Sequence, residues 1–174
     1  MPDVPLELVP ITVAGQRDAL DRGDVDAAIV RLPLAGDPDD VHVIRLYDEV
    51  PVVVASAESS LMAVDELEPA DLAGEVLVTP DDDVLGPLAL PTEAPRFDPP
   101  ATTADAIAIV ATGVGIAVVP MSLARLHHRR DADYRPLAGG PHSRVALAWL
   151  RERDGDDVQT FVGITRGRTA RSSR

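Results

Sequence analysis

The residues of this chain best suited to chemistry are hydroxyls, carboxylates and a few cations set near the ends of predicted elements. Thr102-Thr103-Ala104-Asp105 has the pattern of a capping box, in which a threonine hydroxyl accepts the third amide of a helix and the later carboxylate reaches back. A helix that starts there presents unpaired amides and the positive end of its dipole, which favours an anion by about 0.3–1 kcal/mol. The same two threonines equally serve as caps and nothing more, and spacing alone leaves both readings open. Arg31 ends an apolar run, where a guanidinium can grip a carboxylate through two parallel hydrogen bonds or pair with one of the many acidic side chains nearby.

Other candidates fail on spacing. Gly113-Val114-Gly115 lacks the third glycine of a dinucleotide loop and follows a helix rather than a strand. His127 and His128 are adjacent, so on a helix they point apart, and no further ligand stands at metal-binding spacing. Asp81-Asp82-Asp83 lacks the spaced oxygens and glycine of a calcium loop and reads as a solvated acidic turn. No serine sits in a nucleophile elbow. The expectation is no catalytic residue, no metal and no cofactor.

Composition narrows the classes further. The net charge is −13, and there is no lysine, so every fixed cation is arginine. Such a chain repels a phosphate backbone, and direct nucleic-acid binding is not expected. With no cysteine, disulfides and thiolate chemistry are excluded. No apolar run nears the roughly 18 residues that cross a bilayer, and the first residues lack a signal-peptide pattern, so a cytoplasmic protein with no membrane partner is expected. The core must be aliphatic, since 174 residues include only two Phe, two Tyr and one Trp, and aliphatic β-branched cores suit sheets covered on both faces.

The elements that must position these residues alternate. Pro5 to Pro10 reads as a short edge strand, Thr12 as the cap of a helix ending at Gly23, and Ala27-Ala28-Ile29-Val30 as a buried strand. That order predicts a right-handed crossover and a parallel sheet. Val41–Leu46 and Pro51–Ala55 follow as strands, and Arg144–Leu150 reads as a late strand able to pair with 51–55. Between them come a strand over 75–80, an acidic, proline-rich stretch over 81–101 expected to be a mobile surface loop, the helix capped by Thr102, an apolar strand over 115–120, and a helix capped by Ser122. The arginine-rich residues 166–174 are expected to be a flexible basic tail.

The segment A-T-T-A-D-A-I-A-I-V-A-T-G-V-G-I-A-V-V-P-M-S-L-A-R-L at 101–126 resembles the central part of the effector-binding domains of LysR-type transcriptional regulators. P-D-V-P-L-E-L-V at 2–9, A-L-D-R-G-D-V-D-A-A-I-V at 19–30, D-E-V-P-V-V-V-A at 48–55 and D-L-A-G-E-V-L-V at 71–78 agree with it in order, over nearly the whole chain. The resemblance implies a type-2 periplasmic-binding-protein-like α/β fold, two α/β lobes joined by two antiparallel crossover strands, matched here to 51–55 and 144–150. Lobe I is then 1–50 plus 151–165 and lobe II is 51–150. The effector-binding residues it implies are Arg31, Leu32, Thr79, Thr102, Thr103 and Pro120, lining a cleft between the lobes beyond strand ends, where open α/β sheets bind ligands.

Nothing in the chain resembles the helix-turn-helix of full-length members or the first strand and helix of their effector domain, so the expectation is an N-terminally truncated domain with lobe I incomplete. The partners implied are a small, anionic metabolite as effector and a second copy of the chain in a homodimer. A stand-alone cytoplasmic solute-binding protein is the alternative function, with an enzyme on the same fold behind it, because fold does not fix function.

Overall fold

A computed structural model describes residues 5–169, and the chain divides into two compact units, residues 1–47 with 144–174 and residues 48–143. The first unit is built on a three-stranded sheet ordered β1–β6–β2, comprising β1 (Ala28–Leu32), β6 (Ser143–Leu150) and β2 (Val41–Glu49). Alternation along β6 sends Ala146, Ala148 and Leu150 to one face and Leu147 and Trp149 to the other. Leu20 of α1 (Gln16–Arg22) packs on the first face with Ala28 and Val30, and Val158 and Val162 of α4 (Asp156–Thr169) pack on the second. Gly23 ends α1 in the left-handed conformation with φ 72°, as the sequence predicts.

The expected parallel sheet does not form here. β1 runs antiparallel to β6, with Ala28 opposite Ala148 and Leu32 opposite Arg144. Residues 5–10 form no strand, and Leu6 and Leu8 stand exposed at 68% and 83%. The reason is visible at the outer edge of β1. The Gln16 side-chain amide donates to the Arg31 carbonyl at 2.7 Å and accepts the Arg31 amide at 3.0 Å, filling the place of a neighbouring strand. Prolines at both ends of 5–10 offer no donor to compete. Thr12 caps one turn early: its hydroxyl accepts the Gly15 amide at 3.1 Å, and Gly15 is the N-cap of α1.

The second unit holds a sheet ordered β4–β3–β5, with β3 (Pro51–Ser56) antiparallel to both β4 (Ala117–Pro120) and β5 (Ala132–Pro136). The predicted pairing of 51–55 with 144–150 is therefore replaced by two separate sheets, and β6 falls in the first unit rather than with residues 51–150. The chain passes between units within β2 and at the start of β6. Every residue of β3 from Pro51 to Ala55 is buried, as its central place requires.

One face of β3, through Val52 and Val54, packs on Ala106, Ile107 and Val110 of α2 (Thr103–Ala111). The other, through Val53 and Ala55, packs on Leu61, Leu67, Leu72, Ile116 and Val118. That second face is finished by the proline-rich stretch 81–101. This stretch has no helix or strand, yet Leu85, Leu88 and Leu90 pack against the core and Gly74 donates to the Pro91 carbonyl at 3.1 Å. An unpacked surface loop was the wrong expectation, because leucines interleaved with the acids and prolines give it an apolar side.

The predicted strand over 75–80 is present only as isolated parallel bridges, Leu77 with Ile116 and Val76 with Glu93. Gly115 makes the approach possible: a Cβ on it would lie 2.2 Å from the Val76 carbonyl oxygen. The last helix of this unit, α3 (Met121–Leu126), is entered from Pro120 with no side-chain cap, so Ser122 lies inside the helix instead of capping it. The expected basic tail is helical in α4 as far as Thr169, and residues 170–174 lie outside the described residues.

Candidate functional site

The start of α2 is where sequence and structure agree most closely. Thr102 is the N-cap, in extended conformation, and its hydroxyl accepts the Asp105 amide at 3.2 Å. The same hydroxyl donates to the Asp105 carboxylate at 2.7 Å. The carboxylate reaches back as a capping box requires, but to the hydroxyl rather than to the Thr102 amide. Thr103, 3% exposed, turns its hydroxyl inward and donates to the Asp82 carboxylate at 2.8 Å. A second tie, from the Asp81 amide to the Pro100 carbonyl at 2.9 Å, holds the 81–83 turn against the approach to α2.

This turn is not the freely solvated acidic run that the sequence implies. Asp82 takes the Thr103 hydroxyl, and Asp83 accepts the Leu85 amide at 3.0 Å and the Gly86 amide at 2.8 Å through its two carboxylate oxygens. The electrostatic consequence runs against the simplest reading of the threonines. Both hydroxyls already donate to carboxylates, so an incoming anion meets the first-turn amides of α2 beside the negative charges of Asp82 and Asp105.

Thr79 is exposed and lies just before this turn, at the end of the extended segment bridged to Ile116. Its side chain lines a pocket of about 210 Å³ with Leu77, Asp83, Gly86, Pro87, Leu88 and Val118. Pro120 is buried at the end of β4, opposite Pro51. Leu77 is bridged in parallel to Ile116, the residue just before β4, so Thr79 and Pro120 lie toward the same ends of segments that run the same way. Within the second unit, then, Thr102, Thr103 and the 81–83 turn are brought into direct contact, with Thr79 leading into that turn.

Arg31 and Leu32 belong to the first unit. The Arg31 backbone is held by Gln16, and Leu32 is partly buried against the cluster of Leu20, Val30 and Ala148. The pocket-lining Leu77, Gly86, Pro87, Leu88 and Val118 are absent from the sequence-based candidates. They carry no titratable group, and only the fold brings them together. Asp83 is acidic, but its neighbours hide its role in a run of three.

Among the described residues, no group of three or more His, Asp or Glu is placed to hold a metal ion, and no helix is long and apolar enough to cross a membrane.

Comparison with known proteins places the chain. A protein-family model described as LysR substrate binding domain matches residues 1–170. The Hca operon transcriptional activator HcaR of Escherichia coli (strain K12) is 26% identical, and the match covers 97% of this chain and 60% of that protein. The chain thus spans 60% of the length of this curated relative. Among solved structures, the BenM effector binding domain with its effector benzoate superposes with a TM-score of 0.77 at 22% identity, covering 98% of this chain and 81% of that one. The reduced form of the OxyR regulatory domain from Pseudomonas aeruginosa gives 0.73 at 22% identity, covering 99% and 84%. The architecture is the type-2 periplasmic-binding-protein-like α/β fold of these effector domains, and this chain belongs to the LysR substrate-binding-domain family.

Proposed function

We propose that the chain is the effector-sensing part of a cytoplasmic LysR-type transcriptional regulator, that it has no catalytic role, and that its effector is a small carboxylate held by the first turn of α2. The observation that carries the reading is the family match over residues 1–170, which covers the whole of the site-bearing unit. The Thr102-capped helix start supports it, because first-turn amides and the helix dipole favour an anion there. Benzoate, the effector of BenM, supplies the ligand class to try first.

Thr79, Thr102, Thr103 and Pro120 are the second-unit residues of the proposed site, and Arg31 and Leu32 are those that the resemblance adds from the first unit. The carboxylate takes the Thr103 and Ala104 amides. Thr103 then releases Asp82, whose negative charge would otherwise oppose the ligand. Binding then shifts a conformational population, which is the output of a sensor domain. In an assembled regulator that output passes through a second copy of the domain to DNA.

A thermal-shift screen of aliphatic and aromatic carboxylates tests the reading, since a ligand at 100 times its dissociation constant adds about 2.7 kcal/mol of stability. The expected result is a saturable shift with at least one carboxylate, lost in Thr103→Pro, which removes one of the two binding amides at the first helical position, where proline is tolerated. A shift of equal size in that folded variant places the ligand elsewhere, and turnover of the stabilising compound overturns the non-enzymatic reading.

A further inference from the structure

The stretch 81–101 is pinned at its ends and free of backbone ties in the middle. The Asp81 amide donates to the Pro100 carbonyl at 2.9 Å, which closes the loop at the approach to α2. On the far side the Gly74 amide donates to the Pro91 carbonyl at 3.1 Å, the Leu77 amide to the Glu93 carbonyl at 2.9 Å and the Glu93 amide to the Glu75 carbonyl at 2.8 Å. Between these ties lies a strap, residues 82–90. Among the described residues, the hydrogen bonds of 84–90 stay inside the turn, from the Leu85 and Gly86 amides to the Asp83 carboxylate. The strap rests on the core through the partly buried Leu85, Leu88 and Leu90, and its one described hydrogen bond to a helix or strand is the 2.8 Å bond from the Thr103 hydroxyl to Asp82. A segment so held opens locally at a lower free energy than the sheet it covers. A bond from a buried donor to a charged carboxylate is among the stronger kinds, so this single contact carries much of the strap's attachment.

We infer that the hydrogen bond from Thr103 to Asp82 is a latch, and that an effector carboxylate at the first turn of α2 opens it and releases residues 82–90 from the core. The inference rests on the effector reading above and adds the response of the fold to it. Thr103 is the first residue of α2, so the amide that takes the ligand and the hydroxyl that holds Asp82 belong to one residue. Two carboxylates brought to that residue repel, and among the described residues no arginine pairs with Asp82 to offset the repulsion. Asp82 is the partner that can leave. It is exposed, and its carboxylate is solvated once it turns away, whereas Thr103 is buried in the start of the helix. Release draws Leu85, Leu88 and Leu90 off the cluster that holds Leu72, Ile116 and Val118. The ligand-bound state then presents an apolar surface that the ligand-free state keeps covered.

Limited proteolysis with thermolysin, which cuts before large apolar residues, tests the inference. Cleavage before Leu85 and Leu88 reports opening of the strap, and cleavage before the exposed Leu8 is the internal reference. Asp82→Ala, a change at an exposed position, and Thr103→Val, which replaces the hydroxyl by a methyl group, are each expected to raise strap cleavage about tenfold relative to Leu8. The double variant should go no further, because the same hydrogen bond is lost in all three. Thr102→Ala weakens the cap of α2 without touching Asp82 and should leave the strap sites unchanged. In the native chain, a carboxylate that raises the melting temperature should also raise strap cleavage, whereas binding that only tightens the fold slows it. If Thr103→Val does not fold, Asp82→Ala and the ligand decide. Unchanged strap cleavage in folded Asp82→Ala, an equal rise in Thr102→Ala, or a stabilising carboxylate that slows strap cleavage overturns the inference, and the last of these leaves the effector reading intact. Failure of every carboxylate to stabilise the chain overturns the effector reading and the ligand's part in this one, and the Asp82→Ala result then decides the latch by itself.

Discussion

Replacing Asp82 by Asn separates the two roles that the structure gives to the start of α2. The Asp82 carboxylate accepts the hydroxyl of buried Thr103 at 2.8 Å. A hydrogen bond to a charged acceptor contributes about 1.5–3 kcal/mol and one to a neutral amide oxygen about 0.5–1.5, so Asp82→Asn should lower stability by about 1 kcal/mol. Its effect on an anionic ligand has the opposite sign. A carboxylate on the Thr103 and Ala104 amides would lie roughly 5 Å from Asp82, where Coulomb's law gives a repulsion of about 0.8 kcal/mol in water and about 3 at an effective dielectric near 20. Removing that charge should tighten binding by between about 4-fold and about 150-fold. Calorimetric titration of native and variant protein with benzoate or the best carboxylate of the screen measures this, with the matching amide, benzamide, as a control whose affinity should not change. Unchanged or weaker carboxylate binding in a folded Asp82→Asn protein would refute the placement of the anion at this helix.

Thr102→Ala removes a hydroxyl that both accepts the Asp105 amide and donates to its carboxylate, and urea unfolding should show a loss of about 1 kcal/mol. Gly115→Ala would set a Cβ 2.2 Å from the Val76 carbonyl, forcing apart the segments that carry Thr79 and Pro120; the expected loss is about 1–3 kcal/mol, read from the same unfolding curves. In the first unit, Asp154 is held below its ordinary value of 3.8 by the Gln159 amide, then by the Trp149 indole at 3.0 Å, with His42 adding a smaller electrostatic pull. A depressed carboxylate contributes stability that is full above the unfolded value and fades as pH falls through the folded one. Acid unfolding should therefore steepen below about pH 3.8 in the native chain and flatten in Asp154→Asn; superimposable pH profiles would contradict the assignment.

What the sequence discloses and what it withholds divide along range. The Thr102 cap, the left-handed Gly23 and the apolar runs of β3 and β4 depend on neighbours within one helical turn or one strand, and all were readable. Pairing was not. Whether 51–55 meets 144–150 depends on partners far along the chain, and both runs are apolar enough to pair with either sheet. Residues 5–10 alternate as an edge strand should, yet Gln16 occupies the backbone of Arg31 on β1, a contact that no local pattern announces. In α4, Val158, Phe161 and Val162 stand at helical spacing behind Asp156 and Asp157, but the arginine-rich residues that follow give the segment the composition of a flexible tail. At the site, the threonines were found by type, whereas the carboxylates that occupy them and the apolar pocket beyond Thr79 required the fold.

A crystal structure of the chain with the tightest-binding carboxylate of the screen tests the central claim most directly. The account predicts ligand density whose carboxylate accepts the Thr103 and Ala104 amides, with Asp82 turned away from the Thr103 hydroxyl that it accepts in the ligand-free chain. A ligand bound with its carboxylate elsewhere, and the bond from Thr103 to Asp82 intact at 2.8 Å, would contradict it.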